Sequence, residues 1–156
     1  CKSIGEVTMA KAKVVLATGA FDLLHYGHYR FLEEAKKSGG RNPKLIVIIA
    51  RDKTIKKRKG KRPILPEDQR RALVEALKPV DQAILGYERM NIEAVLKKIK
   101  PDVIAVGYDQ RDIRKSVEEI LRKGRSRVKI VQIGRFGSAD LNSSSKIKRR
   151  VIEEWR

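Results

Sequence analysis

The sequence is poor in the residues that build disulfides, membrane spans and base-stacking surfaces. Its one cysteine, Cys1, excludes a disulfide framework and a cysteine-based metal site. Its longest apolar run, Leu45–Ala50, has the length of a strand and is far short of the roughly 18 residues of a membrane span. Aromatic residues make up 5%, and no stretch interleaves them with basic residues as nucleic-acid stacking surfaces do. The first residues lack the apolar core of a signal peptide, so we expect a cytoplasmic protein with no membrane attachment.

Acidic residues are also scarce relative to basic ones. The chain carries 37 Lys and Arg against 19 Asp and Glu, which gives a net charge of +18 and a pI near 10.3. Such a surplus suits a polyanionic ligand, and it predicts incidental affinity for nucleic acid because phosphate contacts need only basic side chains. The charge also serves solubility. The basic residues concentrate in Lys56–Arg62, Arg122–Lys129 and Lys146–Arg150.

Short apolar runs alternate with helical patterns along the 156 residues. The runs lack polar–apolar alternation, as strands buried on both faces do, and this predicts a doubly wound, Rossmann-like α/β domain with a five-stranded parallel sheet. The predicted strands are Val14–Ala17, Leu45–Ala50, Gln82–Leu85, Val103–Val106 and Val128–Ile133. The predicted helices are Gly27–Ser38, Glu67–Leu77, Asn91–Lys98, Ile113–Lys123 and Ser144–Arg156. We expect residues 1–12 to be a leader or tail and residues 13–156 to be one domain.

The longest segment without a clear pattern is Arg51–Pro66, which follows the second predicted strand and carries the sequence KKRKGKR. Ligands of doubly wound sheets bind at the carboxyl ends of the strands. A basic loop at this edge is placed to close over phosphates, and it is equally compatible with a solvated loop without a ligand.

The strongest chemical signal follows the first predicted strand, in the segment TGAFDLLHYGH (Thr18–His28). Both histidines of the chain, His25 and His28, flank Gly27 where a helix is predicted to begin. Free N–H groups and the helix dipole make such a position an anion site, where imidazoles can donate to phosphate oxygens. The segment is neither a P-loop nor a dinucleotide fingerprint. A zinc site would need further ligands, which the sequence does not supply.

The segment GAFDLLHYGH resembles the G-x-F-D-x-x-H-x-G-H signature of the cytidylyltransferase-like nucleotidyltransferases. Ser143–Ile147 (SSSKI) is similar to the second motif of that superfamily, with Asn142 in place of the usual leading isoleucine. Two further stretches, Ala50–Gly86 and Lys100–Gln110, resemble the archaeal FAD synthase family. The similarity covers most of Lys13–Trp155, and it implies the nucleotidyltransferase type of doubly wound sheet.

The resemblance implies that the phosphate of FMN attacks the α-phosphorus of ATP, giving FAD and pyrophosphate by in-line displacement without a covalent enzyme intermediate. It also implies a divalent metal ion, with Mg²⁺ expected for triphosphate chemistry, and a possible homodimer. Two alternatives stay open from the sequence. One is a CTP-dependent cytidylyltransferase acting on glycerol 3-phosphate or a similar small phosphate. The other is an RNA-binding protein on a retired nucleotidyltransferase fold.

The resemblance also assigns roles to individual residues. The expected catalytic residues are His25, His28 and Lys146. The expected nucleotide-binding residues are Thr18, Gly19, Ala20, Phe21, Gly27, Gly107, Asp109, Gln110, Ser143, Ser144 and Ser145. The expected contacts to the acceptor or to phosphate are Asp22, Asp52, Lys57, Lys59, Lys61 and Arg70.

Several of these residues have an ordinary structural alternative. Asp22 could contact a metal or the acceptor, or cap the entry of a helix. Asp52 could contact the acceptor or sit in a turn. The serines could bind phosphate or simply cap the last helix. Arg70 and Arg71 point about 100° apart on a helix, so only one can face the site, and Arg70 is favoured.

Overall fold

The computed structural model describes residues 11–89, 91–136 and 142–155, and it shows a doubly wound α/β architecture. The strands are β1 Val14–Gly19, β2 Lys44–Ile49, β3 Gln82–Leu85, β4 Val103–Gly107 and β5 Lys129–Ile133. The helices are α1 Tyr26–Lys37, α2 Asp52–Lys59, α3 Glu67–Glu75, α4 Ile92–Ile99, α5 Arg111–Lys123 and α6 Ser144–Glu154. The strands form one parallel sheet in the order β3-β2-β1-β4-β5. The predicted fold class is confirmed.

The sheet is covered on both faces, and successive side chains of each strand therefore enter different cores. On β1, Val15 and Ala17 pack toward α1 and α3, whereas Leu16 packs toward α4 and α5. All three of these side chains are buried, with at most 3% of each residue exposed. Double-sided burial explains why the strands read as continuous apolar runs rather than alternating ones.

The strand order reverses at the centre of the sheet. From β1 the chain first adds β2 and β3 on one side and then returns to place β4 and β5 on the other. The carboxyl ends of β1 and β4, Gly19 and Gly107, therefore stand side by side at the point where ligands of doubly wound sheets bind.

One prediction from the sequence is wrong: Arg51–Pro66 is not a loop throughout, because it contains the helix α2. Asp52 lies in the first turn and basic side chains fill the last turn, as the helix dipole favours. Ile55 is the buried anchor of the helix, and Gly60 ends it with a φ of 73°. A helix of eight residues with a single buried apolar side chain has too little periodicity to be read from sequence.

The ends of the chain are only partly covered by the described residues. The expected N-terminal segment 1–12 falls mostly on residues 1–10, which lie outside them. Within the described ranges, no helix combines the length and the apolar character that crossing a membrane requires.

Candidate active site

The β1–α1 turn that carries the histidines has an unusual backbone. Phe21 and Leu23 both adopt left-handed conformations, with φ of 51° and 52°. Large side chains rarely occupy this region, so the surrounding contacts must hold the turn in place. Gly19 allows the turn to fold back, because a Cβ there would lie 2.7 Å from the ring of Phe21.

The two histidine rings are stacked at the N-terminus of α1. Their centroids lie 3.8 Å apart with an angle of 23° between the planes, and the ring of Phe21 meets His28 edge-on at 5.3 Å. The backbone N–H of His25 donates to His28 Nδ1 at 3.4 Å, which leaves Nε2 of His28 as the protonated nitrogen of the neutral ring. Gly27 makes the stack possible, since a Cβ at this position would stand 3.0 Å from His25 Nδ1.

Burial keeps both imidazoles neutral. It lowers the pKa of His28 to about 3, helped by the charges of His25 and Lys59 and opposed by that of Asp22. Burial also lowers the pKa of His25. The buried His25 Nδ1 has no hydrogen-bond partner within the described part of the chain. The pair can thus present neutral N–H donors to an anion.

The serine motif meets the histidine turn directly. Ser144 opens α6 and its hydroxyl donates to the backbone carbonyl of Asp22. On the same side, the backbone oxygen of Asn142 lies 3.4 Å from the position that a Cβ on Gly27 would take. The N-termini of α1 and α6 therefore converge, which places two anion-binding helix ends at one location.

The hydroxyls of the serine motif are used partly for structure. Ser143 caps α6, with its Oγ accepting from the N–H of Lys146 at 3.3 Å. The capping alternative thus holds for Ser143, and its contact with phosphate stays a prediction. Ser145 is exposed in the first turn. Lys146 Nζ donates to Asn142 Oδ1 at 3.2 Å. The groups of this motif that are left for a phosphate are the N–H groups of the first turn, Ser145 and the ammonium of Lys146, and their contact with phosphate stays a prediction.

Arg70 is bonded to the backbone around the ends of two strands. Its side chain is fully buried, and its guanidinium donates to the carbonyls of Leu65, Ala20 and Ala50 at 2.7–2.9 Å. Its remaining nitrogen pairs with Asp52 Oδ1 at 2.7 Å. The fully buried guanidinium, bonded to four oxygens, joins the ends of β1 and β2. Its contact with the acceptor or with phosphate stays a prediction.

The two aspartates, Asp52 and Asp22, differ in the number of groups that their carboxylates bond. Asp52 is the first residue of α2 and does not lie in a turn. Arg70 pairs with its Oδ1, and the contact of Asp52 with the acceptor stays a prediction. Asp22 is not the cap of α1, a position held by His25. Its carboxylate accepts from the N–H groups of Ile64 and Leu65 at 3.0 Å and from Lys148 Nζ at 2.7 Å, and its contact with the acceptor or a metal stays a prediction.

The end of β4 supplies the predicted nucleotide-binding residues in two groups. Gln110 bridges two strand ends, because its Oε1 accepts from Gly107 N–H and its Nε2 donates to the carbonyl of Thr18, both at 2.8 Å. That bridge holds the ends of β1 and β4 together. The contact of Gln110 with the nucleotide stays a prediction. Asp109 is exposed beside Gly107, where a Cβ would meet its Oδ1 at 3.0 Å. Its contact with a ribose stays a prediction.

The three candidate lysines are exposed. Lys57 and Lys59 lie in the last turn of α2, and Lys61 follows Gly60. Of the three, Lys59 has a charge that acts on His28. Which of the three lysines contacts phosphate stays a prediction.

Lys148 is the site residue that the sequence analysis missed. It lies four positions after Ser144, so the two occupy neighbouring positions on one face of α6, and both contact Asp22. That spacing was the available signal. Across the described residues, no group of three or more His, Cys, Asp or Glu side chains could hold a metal ion.

Residues 16–150 match the family model described as cytidylyltransferase-like. The chain belongs to the cytidylyltransferase-like family. Within this family it is similar to the FAD synthase of Ferroglobus placidus, with 51% identity over 140 residues that cover 90% of this chain and 88% of that protein. It is also similar to the FAD synthase of Methanopyrus kandleri, with 46% identity over 144 residues that cover 92% and 95% of the two chains.

A similar architecture is found in a solved structure. The lipopolysaccharide core biosynthesis protein of Thermoplasma volcanium superimposes with a TM-score of 0.72 and 42% identity, covering 80% of this chain and 98% of that one. The resemblance to archaeal FAD synthases is thereby confirmed, together with the predicted nucleotidyltransferase type of sheet.

Proposed function

We propose that this protein is an FAD synthase, which transfers the adenylyl group of ATP to FMN and releases pyrophosphate. The observation that carries the proposal is the convergence of the stacked histidines with the serine end of α6, in a chain 44–51% identical to several proteins named FAD synthase. A site built from two helix N-termini, neutral imidazoles and lysines suits a triphosphate.

The reaction is an in-line displacement at the α-phosphorus of ATP. An oxygen of the FMN phosphate forms the new bond, and the bond from the α-phosphorus to the oxygen bridging to the β-phosphorus breaks, so that pyrophosphate leaves with that oxygen. His25 and His28 donate to the oxygens on which charge develops, and Lys146 neutralises part of the triphosphate. Positioning and charge stabilisation carry the rate, because no side chain needs to form a bond with the substrate.

Magnesium enters this scheme as part of the nucleotide substrate. The described residues do not fit a metal site made by protein alone. Mg²⁺ commonly binds through substrate phosphates and keeps several waters, so we propose that the protein takes ATP as its magnesium complex.

A cytidylyltransferase is the second candidate, and the description of the matching family favours keeping it. The histidine and serine chemistry would serve CTP with a small phosphorylated alcohol equally well. The two candidates differ in the base and in the acceptor, and Asp109 at the end of β4 is the exposed group that we propose to contact the nucleotide ribose.

The deciding experiment offers the purified protein two substrate pairs with Mg²⁺: ATP with FMN, and CTP with glycerol 3-phosphate. Pyrophosphate release and the nucleotidylated product are followed for each pair, and the variant His28→Ala serves as the inactive control. FAD formed from ATP, with a rate about 10²–10³-fold lower in the variant, supports the proposal.

The other outcomes are equally clear. A cytidylylated product without FAD would replace the substrates. Pyrophosphate release from neither pair would refute both candidates, and an unchanged rate in His28→Ala would separate the activity from the histidine pair.

A further inference from the structure

Asp22 lies in the strained part of the β1–α1 turn. It lies between Phe21 and Leu23, the two residues with left-handed φ of 51° and 52°. Only 7% of Asp22 is exposed. Among the described residues, Asp22 and Arg70 are the two charged or polar residues that are buried. Two adjacent sites of backbone strain persist only where neighbouring contacts over-determine the conformation.

The contacts of Asp22 reach three parts of the site. Its carboxylate accepts from the N–H groups of Ile64 and Leu65 at 3.0 Å, directly after the basic segment of α2. The same carboxylate pairs with Lys148 Nζ at 2.7 Å, and its backbone carbonyl accepts from the hydroxyl of Ser144. One residue of the histidine turn thus bonds both the segment that follows the lysines and the helix of the serine motif.

We infer that Asp22 is a positioning residue, which assembles the triphosphate site by joining the histidine turn to the segment after α2 and to α6. The inference rests on the proposed function for its kinetic consequence. It differs from a direct role, since the residue is buried and its carboxylate already accepts from Ile64, Leu65 and Lys148.

The charge of Asp22 is part of this role. Burial raises its pKa, but the N–H of Leu65, the ammonium of Lys148 and the N–H of Ile64 together outweigh burial and lower the pKa below its usual value. The carboxylate is therefore ionised and acts only as an acceptor. An amide in its place would keep one acceptor oxygen and would turn an NH₂ group toward donors that need an acceptor.

The chain offers a matched control at the other end of the sheet. Asp81 also accepts from a backbone N–H, that of Leu45 at 2.7 Å, and also pairs with a lysine, Lys36, at 2.9 Å. The variants Asp22→Asn and Asp81→Asn each lose a lysine partner and weaken one backbone contact. A purely structural role predicts loss of stability in both and loss of catalysis in neither.

The experiment compares the two variants with the wild type by kcat for FAD formation, by the affinity for MgATP and by the ring signals of the histidines in NMR spectra. We expect Asp22→Asn to lower kcat about 10²-fold, as a misplacement of about 1 Å can do, and to shift both histidine signals. Asp81→Asn should leave kcat and the signals as in the wild type. Equal kcat in the two variants would overturn the inference.

Lys148→Met keeps the test decisive if Asp22→Asn does not fold. This variant removes only one of the four contacts, from a side chain that is 36% exposed, so the fold should persist. We expect a lower kcat and a weaker affinity for MgATP than in Asp81→Asn. A kcat and an affinity equal to those of the wild type would contradict the role of this pair.

Failure of the proposed function gives a different result. In that case the wild type makes no FAD, and the comparison is made on MgATP affinity and histidine signals alone. A loss confined to Asp22→Asn and Lys148→Met would still support the positioning role. Wild-type affinity and unshifted signals in these variants would refute it.

Discussion

At the scale of single residues, the stacked rings of His25 and His28 depend on both being neutral. Two positive imidazoles with centroids 3.8 Å apart would repel, and the buried site would not solvate the charges. The pKa of His28, lowered to about 3 by burial, expresses this cost. The protein without ligand should therefore lose stability at a pH low enough for the unfolded chain to protonate His25 and His28.

The pH dependence of unfolding follows with a definite sign. Below the ordinary histidine pKa of 6.5 the unfolded chain binds a proton that folded His28 excludes, so the stabilising contribution is complete above pH 6.5 and declines toward the folded value of about 3. Urea unfolding at pH 7 and at about pH 4.5 should show the decline, and His28→Asn should flatten it. The pKa of Asp22 is lowered in the folded protein, so its contribution to stability is lost only as the pH falls through the acidic range below the ordinary aspartate pKa of 3.8. Equal slopes in wild type and variant would contradict the assignment.

Gly27→Ala should affect catalysis and stability differently. A methyl group at this position in α1 would meet His25 at 3.0 Å and the carbonyl of Asn142 at 3.4 Å, so the histidine ring must shift. Alanine is otherwise the better helix residue by about 1 kcal/mol, which offsets the crowding. We expect kcat to fall about tenfold while the melting temperature changes little. Gly40→Ala, at an exposed glycine with φ of 83°, is the converse control, because it should lower stability and leave kcat unchanged.

The sequence predicts the local part of the site better than the distant part. His25 and His28 are three positions apart, so their spacing and the helix start are visible in one short segment. The contact between Asp22 and Lys148 joins positions 126 apart, which no local pattern encodes. Arg70 was assigned to the correct helix, but its burial depends on carbonyls of three other segments. Such contacts become evident only when the strands are placed side by side.

At the scale of elements, α2 holds a cluster of basic side chains near the site on a regular helix. Its last turn holds Lys56, Lys57, Arg58 and Lys59, and the buried Ile55 attaches it to the body. Helices with a clear apolar stripe were predictable, and β3 was predicted with its observed bounds, Gln82–Leu85. The helix α2 was missed because its polarity conceals the single anchoring residue.

Neutralising the lysines of this element should weaken substrate use more than folding. We expect the triple variant Lys57→Gln, Lys59→Gln, Lys61→Gln to raise KM for ATP about tenfold or more, since charged hydrogen bonds contribute about 1.5–3 kcal/mol each when formed. The melting temperature should change little because all three side chains are exposed.

The matched control removes the same charge at the far edge of the sheet. Lys97, Lys98 and Lys100 are exposed near the end of α4, before β4 begins. Their change to Gln should leave KM for ATP as in the wild type. Equal increases of KM in the two triple variants would assign the effect to net charge rather than to α2.

At the scale of the whole molecule, the charge of +18 creates a positive field around a site for anionic substrates. Raising the ionic strength from about 0.01 M to about 1 M shortens the Debye length from about 30 Å to about 3 Å. We expect kcat/KM for ATP to fall about tenfold or more over this range. The value of kcat at saturation should change less, because contacts inside the loaded site are shielded from salt. A parallel fall of kcat and kcat/KM would indicate damage to the chemistry instead.

The position of β1 has a consequence for how the protein is made. Of the five described strands, the central one, β1, is synthesised first, and its register with β4 needs residues from Val103 onward. One edge of β1 therefore stays unpaired while most of the chain is still being synthesised, and parallel pairing of this kind closes slowly. The contact between Ser144 and Asp22 comes later still. The histidine turn and the N-terminus of α6 can consequently meet only after residue 144 has been synthesised.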